Sequence, residues 1–251
     1  ITDSVRGNNA ALQTTNTNAE GTFASMTFTS TGITVSGNEN LNNEDAHNYV
    51  GWFWKESATA GFDIVTYTGN GSNRTISHSL SAPKVVNIKR RNTAAQWTMY
   101  HVGKGNTHGM YLNDTTAGVD AVGFFNDTDP TSSVFSVGTD AATNGSSDTY
   151  VSYLWSEKQG FSRFSKFVGS GSADGPFIWT GFRPALLIIK RTDTTDGWLL
   201  VDNKRAGYNG GNNVLEINDT AAEDTSVSDR VDLLSNGFKL RNSWSKINAS
   251  G

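Results

Sequence analysis

The sequence predicts an all-β chain built from tandem antiparallel β-sandwich repeats, jelly-roll or lectin-like in class, each about 100 residues long. Three observations predict it. Short runs of β-branched and aromatic residues alternate with Gly, Asn, Asp and Ser clusters, as strands joined by tight turns require. The composition is 36% hydrophobic and 18% charged with 26 Gly and only 4 Pro, which suits such turns and suits long helices poorly. The chain also matches itself when shifted by about one hundred residues, the signature of an internal repeat.

Tyr49-Val50-Gly51-Trp52-Phe53-Trp54-Lys55-Glu56 falls on Tyr150-Val151-Ser152-Tyr153-Leu154-Trp155-Ser156-Glu157, residue 150 against residue 49, an offset of 101. Gly61-Phe62 falls on Gly160-Phe161, and Gly69-Asn70-Gly71-Ser72 on Gly169-Ser170-Gly171-Ser172. At the offset of 101 Pro83 meets Pro184, Ile88-Lys89-Arg90 meets Ile189-Lys190-Arg191, and Trp97 meets Trp198. Asp3-Ser4-Val5-Arg6-Gly7 resembles Asp202-Asn203-Lys204-Arg205-Ala206, so a third, partial copy opens the chain. The expected organisation is residues 1–57 as the second half of a unit, 58–157 as a unit, and 158–251 as a unit lacking its last strand.

Taken in order, Tyr49 to Glu56 is apolar or aromatic on both faces, which predicts a central strand covered on both sides. Phe62 to Thr68 is a strand running into Gly69-Asn70-Gly71, read as a hairpin turn, and Gly169-Ser170-Gly171 is read the same way. Val85 to Arg90 places Val86 and Ile88 on one face, and Trp97 to Val102 precedes a Gly-rich turn. Met110 to Leu112, Gly123 to Phe125, Val134 to Val137 and Tyr150 to Trp155 complete roughly seven or eight strands per unit, enough for two packed sheets. Asp219 to Asp224 reads as a turn.

A net charge of -4 supplies no positive field for nucleic acid, and Lys89-Arg90-Arg91 reads as a solvated strand end. With no Cys there are no disulfides, Cys-based zinc sites or thiol nucleophiles. No stretch approaches the eighteen or so apolar residues of a spanning helix, so no membrane insertion is expected.

No catalytic constellation recurs with the repeat, and the chain is read as non-enzymatic and without cofactor. Glu56 and Glu157 match in position, yet a repeated acid at a strand end serves turns and ion pairs as well as glycoside hydrolysis. His47, His78, His101 and His108 lack short ligand spacing. Asn113-Asp114-Thr115, Asn126-Asp127-Thr128-Asp129 and Asn218-Asp219-Thr220 offer hard oxygens to calcium, and Asx-turns account for the same residues without an ion. Asn73, Asn113, Asn126 and Asn218 begin Asn-x-Ser/Thr tripeptides, which a chain rich in these residues generates by composition. Trp97 and Trp198 keep strict spacing while their neighbours vary, so they are the candidate ligand-binding residues, with core or edge packing as the alternative.

Gly61-Phe62-Asp63-Ile64-Val65-Thr66-Tyr67-Thr68-Gly69-Asn70-Gly71, Gly175-Pro176-Phe177-Ile178-Trp179-Thr180-Gly181-Phe182-Arg183-Pro184-Ala185 and Asp232-Leu233-Leu234-Ser235-Asn236-Gly237-Phe238-Lys239, with the opening Asp3-Ser4-Val5-Arg6-Gly7, carry a family resemblance over essentially the whole chain. The sequence resembles the tandem domain of unknown function found in tail-fibre and other virion structural proteins of marine bacteriophages, including those of cyanobacteria. The resemblance implies a β-sandwich module at the virion surface or in a tail appendage, extracellular, plausibly trimeric, and with no catalytic residues to carry over. The expected function is a non-enzymatic structural component with a role in host-surface attachment. The alternatives are a carbohydrate-binding lectin-like module and a subunit of a polymeric extracellular filament. Expected partners are further copies of the chain, as a homo-oligomer, trimer or filament, other virion proteins, and a host-surface glycan. Ile1 begins mid-unit and Gly251 precedes a final strand, which leaves open whether the terminal units fold alone or are completed by flanking residues or by a strand from a neighbouring chain.

Overall fold

A computed structural model describes residues 1–22, 26–37, 43–226 and 230–250. The fold is all-β and antiparallel, with 33% of residues in strands and 5% in helices. The N-terminal segment carries β1 (Ala10–Ala11), β2 (Gly21–Thr22), β3 (Met26–Phe28) and β4 (Ile33–Val35), paired as β1–β2 and β3–β4. The central unit carries β5 (Phe62–Thr68), β6 (Arg74–Ser77), β7 (Val85–Arg90), β8 (Trp97–His101), β9 (His108–Tyr111), β10 (Val119–Asp120), α1 (Val122–Phe125), β11 (Val134–Val137), α2 (Ala141–Asn144) and β12 (Thr149–Trp155). The C-terminal unit carries β13 (Phe177–Trp179), β14 (Leu186–Lys190), β15 (Trp198–Asp202), β16 (Leu215–Glu216), β17 (Val231–Leu234), β18 (Gly237–Leu240) and α3 (Ser245–Asn248).

The central sheet runs β10-β9-β8-β7-β12-β5, while β6 pairs with β11 in a second layer. Strand alternation divides β7 and β12 between two cores. Val86, Ile88, Tyr150 and Leu154 point to the β6/β11 layer, where Ile76, Phe135, Val137 and the two phenylalanines of α1 complete one core. Val85, Val151 and Tyr153 point the other way, with Trp97, Met99 and Met110, and this face is closed by Leu12 and Trp198 from the flanking units. The C-terminal unit places β14-β15-β16 against β13-β18-β17 around Leu187, Ile189, Leu199, Leu233, Phe238 and Leu240.

Two buried asparagines hold the corners between layers. Asn144 donates from Nδ2 to the carbonyls of Ser72 (2.7 Å) and Gly138 (2.8 Å) and accepts from the Asn70 amide at 3.1 Å. Asn248 repeats the pattern with Ser172 (2.7 Å), Asn242 (2.8 Å) and the Ser170 amide (2.8 Å). The loops pass so close that a Cβ on Gly69 would lie 2.1 Å from the Gly145 carbonyl oxygen, and one on Gly169 2.2 Å from that of Ala249. Only glycine lets the backbones approach this far.

Four expectations are corrected. Gly69 to Gly71 does not turn a hairpin, because β5 pairs with β12 and β6 with β11; it is a corner between layers, anchored on Asn144. Gly169 to Gly171 is likewise anchored on Asn248 rather than joining paired strands. Gly123 to Phe125 lies in the one-turn helix α1 and not in a strand: the Asn126 amide closes the turn on the Val122 carbonyl, Phe124 and Phe125 are both buried, and Asn126 ends it at φ 52°. Tyr49 to Glu56 is outside every strand and largely exposed, whereas its repeat partner β12 lies between β5 and β7. The N-terminal segment has no counterparts of β5 and β7 among the described residues to cover it.

Candidate interaction surface

The joint between units uses one set of contacts twice. Trp97 donates its indole N–H to the carbonyl of Gln13 at 2.8 Å, and Trp198 to that of Tyr111 at 2.8 Å. The Ala95 amide meets the Thr17 carbonyl at 2.9 Å, and the Asp196 amide meets that of Thr115 at 2.7 Å. The same two carbonyls accept from Lys89 at 3.1 Å and Lys190 at 3.0 Å. Each unit therefore grips the main chain of the one before it through a lysine, an amide and a tryptophan.

Lys89 is thus not a solvated strand end. It is fully buried, and its Nζ also reaches the Arg90 carbonyl at 2.9 Å. Burial, and then the neighbouring charge of Arg90, lower its pKa to about 8. Trp97 and Trp198 are 0% and 4% exposed, so neither indole presents a face on which a sugar ring could stack. Their backbones are fixed as well: Asn113 Oδ1 accepts from the Trp97 amide at 2.7 Å, and Asn218 Oδ1 from that of Trp198 at 2.6 Å.

A charged cluster also recurs. Arg6 bridges Asp3 and Glu20, and Arg205 bridges Asp202 and Glu223. Tyr153 of β12 donates its hydroxyl hydrogen to Asp3 Oδ2 at 2.7 Å, and Trp52, its repeat partner, donates its indole N–H to Asp202 Oδ2 at 3.3 Å. Burial pushes the Asp3 carboxyl up, but the Tyr153 hydroxyl and the Arg6 guanidinium outweigh it and hold its pKa below the ordinary value. The N-terminal segment touches the C-terminal unit a second time where Thr14 Oγ1 donates to the Ile217 carbonyl at 2.7 Å.

In two of the three Asn-Asp-Thr clusters the aspartate caps its own turn, whereas in the third Asn126 accepts from Asn73 and Asp129 from the Tyr100 hydroxyl at 3.0 Å. Asp114 Oδ1 accepts from the amide and hydroxyl of Thr116 at 2.8 and 2.7 Å, and Asp219 Oδ1 accepts from the Ala221 amide at 3.1 Å. No group of three or more His, Asp or Glu among the described residues is placed to hold a metal ion. His78 and His101 accept backbone amides from Leu80 and Gly103, so their rings serve loops. Burial lowers the pKa of His101 to about 4. Glu157 accepts from the Phe164 amide at 2.9 Å. No described helix is long and apolar enough to cross a membrane.

Sequence reasoning missed the exposed aromatics of the C-terminal unit. Trp179 is exposed with the Arg163 guanidinium 5.2 Å from its ring, and Tyr208 is exposed with Arg183 at 5.0 Å. His78 stands where the central unit would place a partner of Trp179, so the repeat gave no signal there. The outer edge of β14 is a second such surface: Ile188 is 47% exposed where its counterpart Asn87 in β7 is 1% exposed.

A model of a domain of unknown function (DUF7483) matches residues 1–251, and the chain belongs to that family. No curated protein and no solved structure matches the chain.

Proposed function

We propose that this DUF7483 chain is a non-enzymatic structural component of a viral fibre or surface appendage, extracellular on the virion, that takes part in host-surface attachment. The observation that supports this reading is the repeated joint, in which Lys89, Ala95 and Trp97, and again Lys190, Asp196 and Trp198, bond to main-chain carbonyls of the preceding unit. A load-bearing array needs successive units fixed in one orientation, and three bonds per joint closed over an apolar core supply that. Gold-labelled antibody against the chain, imaged by electron microscopy on intact virus particles of the source, is expected to decorate a fibre or surface projection. Label confined to particle-free material overturns the reading.

A carbohydrate-binding role is the second reading, and exposed Trp179 and Tyr208, each beside an arginine, favour it. An aromatic face with an adjacent cation suits acidic or neutral glycans. Glycan-array binding that falls on Trp179→Ala or Tyr208→Ala supports this role, and an array with no bound glycan rejects it.

A further inference from the structure

Arg230, the residue before β17, is 2% exposed, and its main chain is held on both sides. Its amide donates to Asn212 Oδ1 at 2.9 Å, and its carbonyl accepts from the Arg241 amide at 2.9 Å. The guanidinium carbon lies 4.2 Å from the centre of the Trp244 ring, and Nη2 donates to Asp224 Oδ2 at 2.5 Å. Nε and Nη1 are buried and have no hydrogen-bond partner among the described residues. A buried cation with unmet donors is costly, so the position calls for an acceptor that the chain does not supply.

Arg230 lines a cavity of about 380 Å³, within the range of small-molecule sites, together with Asp224, Ser226, Asn242, Ser243 and Trp244. Asp224 is fixed in its wall. Its Oδ1 accepts from the amide and hydroxyl of Ser226 at 2.9 and 2.6 Å, and these bonds, with the Arg230 guanidinium, hold its pKa well below the ordinary value. The carboxylate therefore stays charged and cancels much of the charge of Arg230, which favours a monoanion over a dianion. Asn242 Oδ1 accepts from the Trp244 amide at 3.1 Å, leaving its Nδ2 as a further donor. The central unit has no such space, because Trp244 precedes α3 where Asp140 precedes α2, and a Cβ on Gly123 of α1 would lie 3.3 Å from that of Asp140. The C-terminal unit has no counterpart of α1 among the described residues.

We propose that this cavity binds a carboxylate-bearing sugar, a uronate residue of an acidic glycan, with the carboxylate on the open N–H groups of Arg230. A planar guanidinium matches a carboxylate in shape and charge. Asp224 opposes the second charge of a phosphate ester, while the hydroxyls of Ser226 and Ser243 and the Asn242 amide offer partners to ring hydroxyls beside the apolar indole of Trp244. Asn212, Asp224 and Trp244 already hold the cation in place, so binding supplies acceptors without rearranging it. The inference goes beyond the appendage reading. It shares no residue with Trp179 or Tyr208, so either site can fail while the other stands.

The test is isothermal titration calorimetry of the 251-residue chain with D-glucuronate, D-galacturonate, D-mannuronate and L-guluronate, set against D-glucose, D-glucuronamide, sulfate and glutamate. At least one uronate is expected to bind at millimolar concentration or below, about tenfold or more tighter than every control. The same uronate is expected to shift the Arg230 Nε–H resonance in the nitrogen–proton NMR spectrum. Arg230→Met is expected to abolish the binding heat. Because that change also breaks the Asp224 ion pair, a second pair of variants leaves the guanidinium untouched: Ser243 is exposed and makes no side-chain hydrogen bond among the described residues. Ser243→Asp is expected to weaken uronate binding about fivefold and Ser243→Lys to strengthen it by a similar factor, both with unchanged melting temperature. No heat with any uronate, equal binding of glucose or glucuronamide, or an unmoved Arg230 signal overturns the inference. Sulfate or glutamate bound as tightly overturns it too, as does uronate binding indifferent to the charge at position 243.

Discussion

The hydroxyl of Tyr153 lies 2.7 Å from a carboxylate oxygen of Asp3, which stands 150 positions earlier in the chain. The bond ties the middle strand of the central sheet to an ion pair in the N-terminal segment, and Asp3 in turn gathers Arg6.

Tyr153→Phe removes one hydroxyl and leaves a buried carboxylate short of a donor. The expected cost is about 1–3 kcal/mol in urea unfolding. Because the Tyr153 hydroxyl is the largest influence holding the Asp3 pKa down, its loss raises that pKa. A carboxyl with a depressed folded pKa contributes stability above its unfolded pKa and loses it as pH falls through the folded one. The acid unfolding limb of the variant therefore begins at higher pH than that of the wild type.

Asn144→Ala and Asn248→Ala each strip a buried corner of four hydrogen bonds. Each is expected to destabilise by about 2–4 kcal/mol, as several buried backbone groups lose a partner at once. Gly169→Ala should be as severe, because the added methyl meets a carbonyl oxygen at 2.2 Å. Chemical denaturation of the three variants checks the order.

Trp97→Ala empties the shared core and is expected to cost about 3–5 kcal/mol. Trp97→Phe keeps most of the volume and loses only the partly buried bond to the Gln13 carbonyl, for about 1–2 kcal/mol. Trp179→Ala, at an exposed ring, should stay within about 0.5 kcal/mol of wild type. Thermal melts of the three side by side separate packing at the joint from surface exposure.

Two groups with lowered pKa values set pH slopes of the same sign in separate windows. His101 has a folded pKa of about 4 against an ordinary 6.5, so the unfolded chain takes its proton first. Stability is held above pH 6.5 and falls as pH drops from 6.5 towards 4; His101→Gln flattens that limb. Lys89, lowered from 10.5 to about 8, binds its proton more weakly in the fold. Stability from this group rises between pH 8 and 10.5, and Lys89→Met removes the rise while keeping the side-chain length. Equilibrium unfolding at a series of pH values reads both.

The strands of the central unit were legible because β7, β8 and β12 bury alternating or wholly apolar runs, a pattern visible in one dimension. Ile88 with Ile189 and Trp97 with Trp198 kept their spacing for the same reason: each fills a core that tolerates little change. The acidic half of the recurring charge cluster was not legible. Asp3 and Arg6 recur at an offset of 199, but Glu20 meets Glu223 at 203, since loop lengths drift where only side-chain tips must meet. The burial of Lys89 was hidden because its acceptor is the main-chain carbonyl of Thr17, whose side chain carries no trace of that role. The segment around Trp52 misled for a different reason: its sequence describes a buried strand, and burial depends on neighbours that the segment itself does not encode.

At each joint the gripping side is specified by side chains, while the gripped side offers carbonyl oxygens of Gln13, Thr17, Tyr111 and Thr115. Every amino acid carries that oxygen, so the accepting surface can change its residues without losing the fastening. Away from Leu12 in the shared core, Asp3 beneath the Tyr153 hydroxyl and Glu20 beside Arg91, the joint therefore constrains the path of the accepting chain and leaves its sequence free.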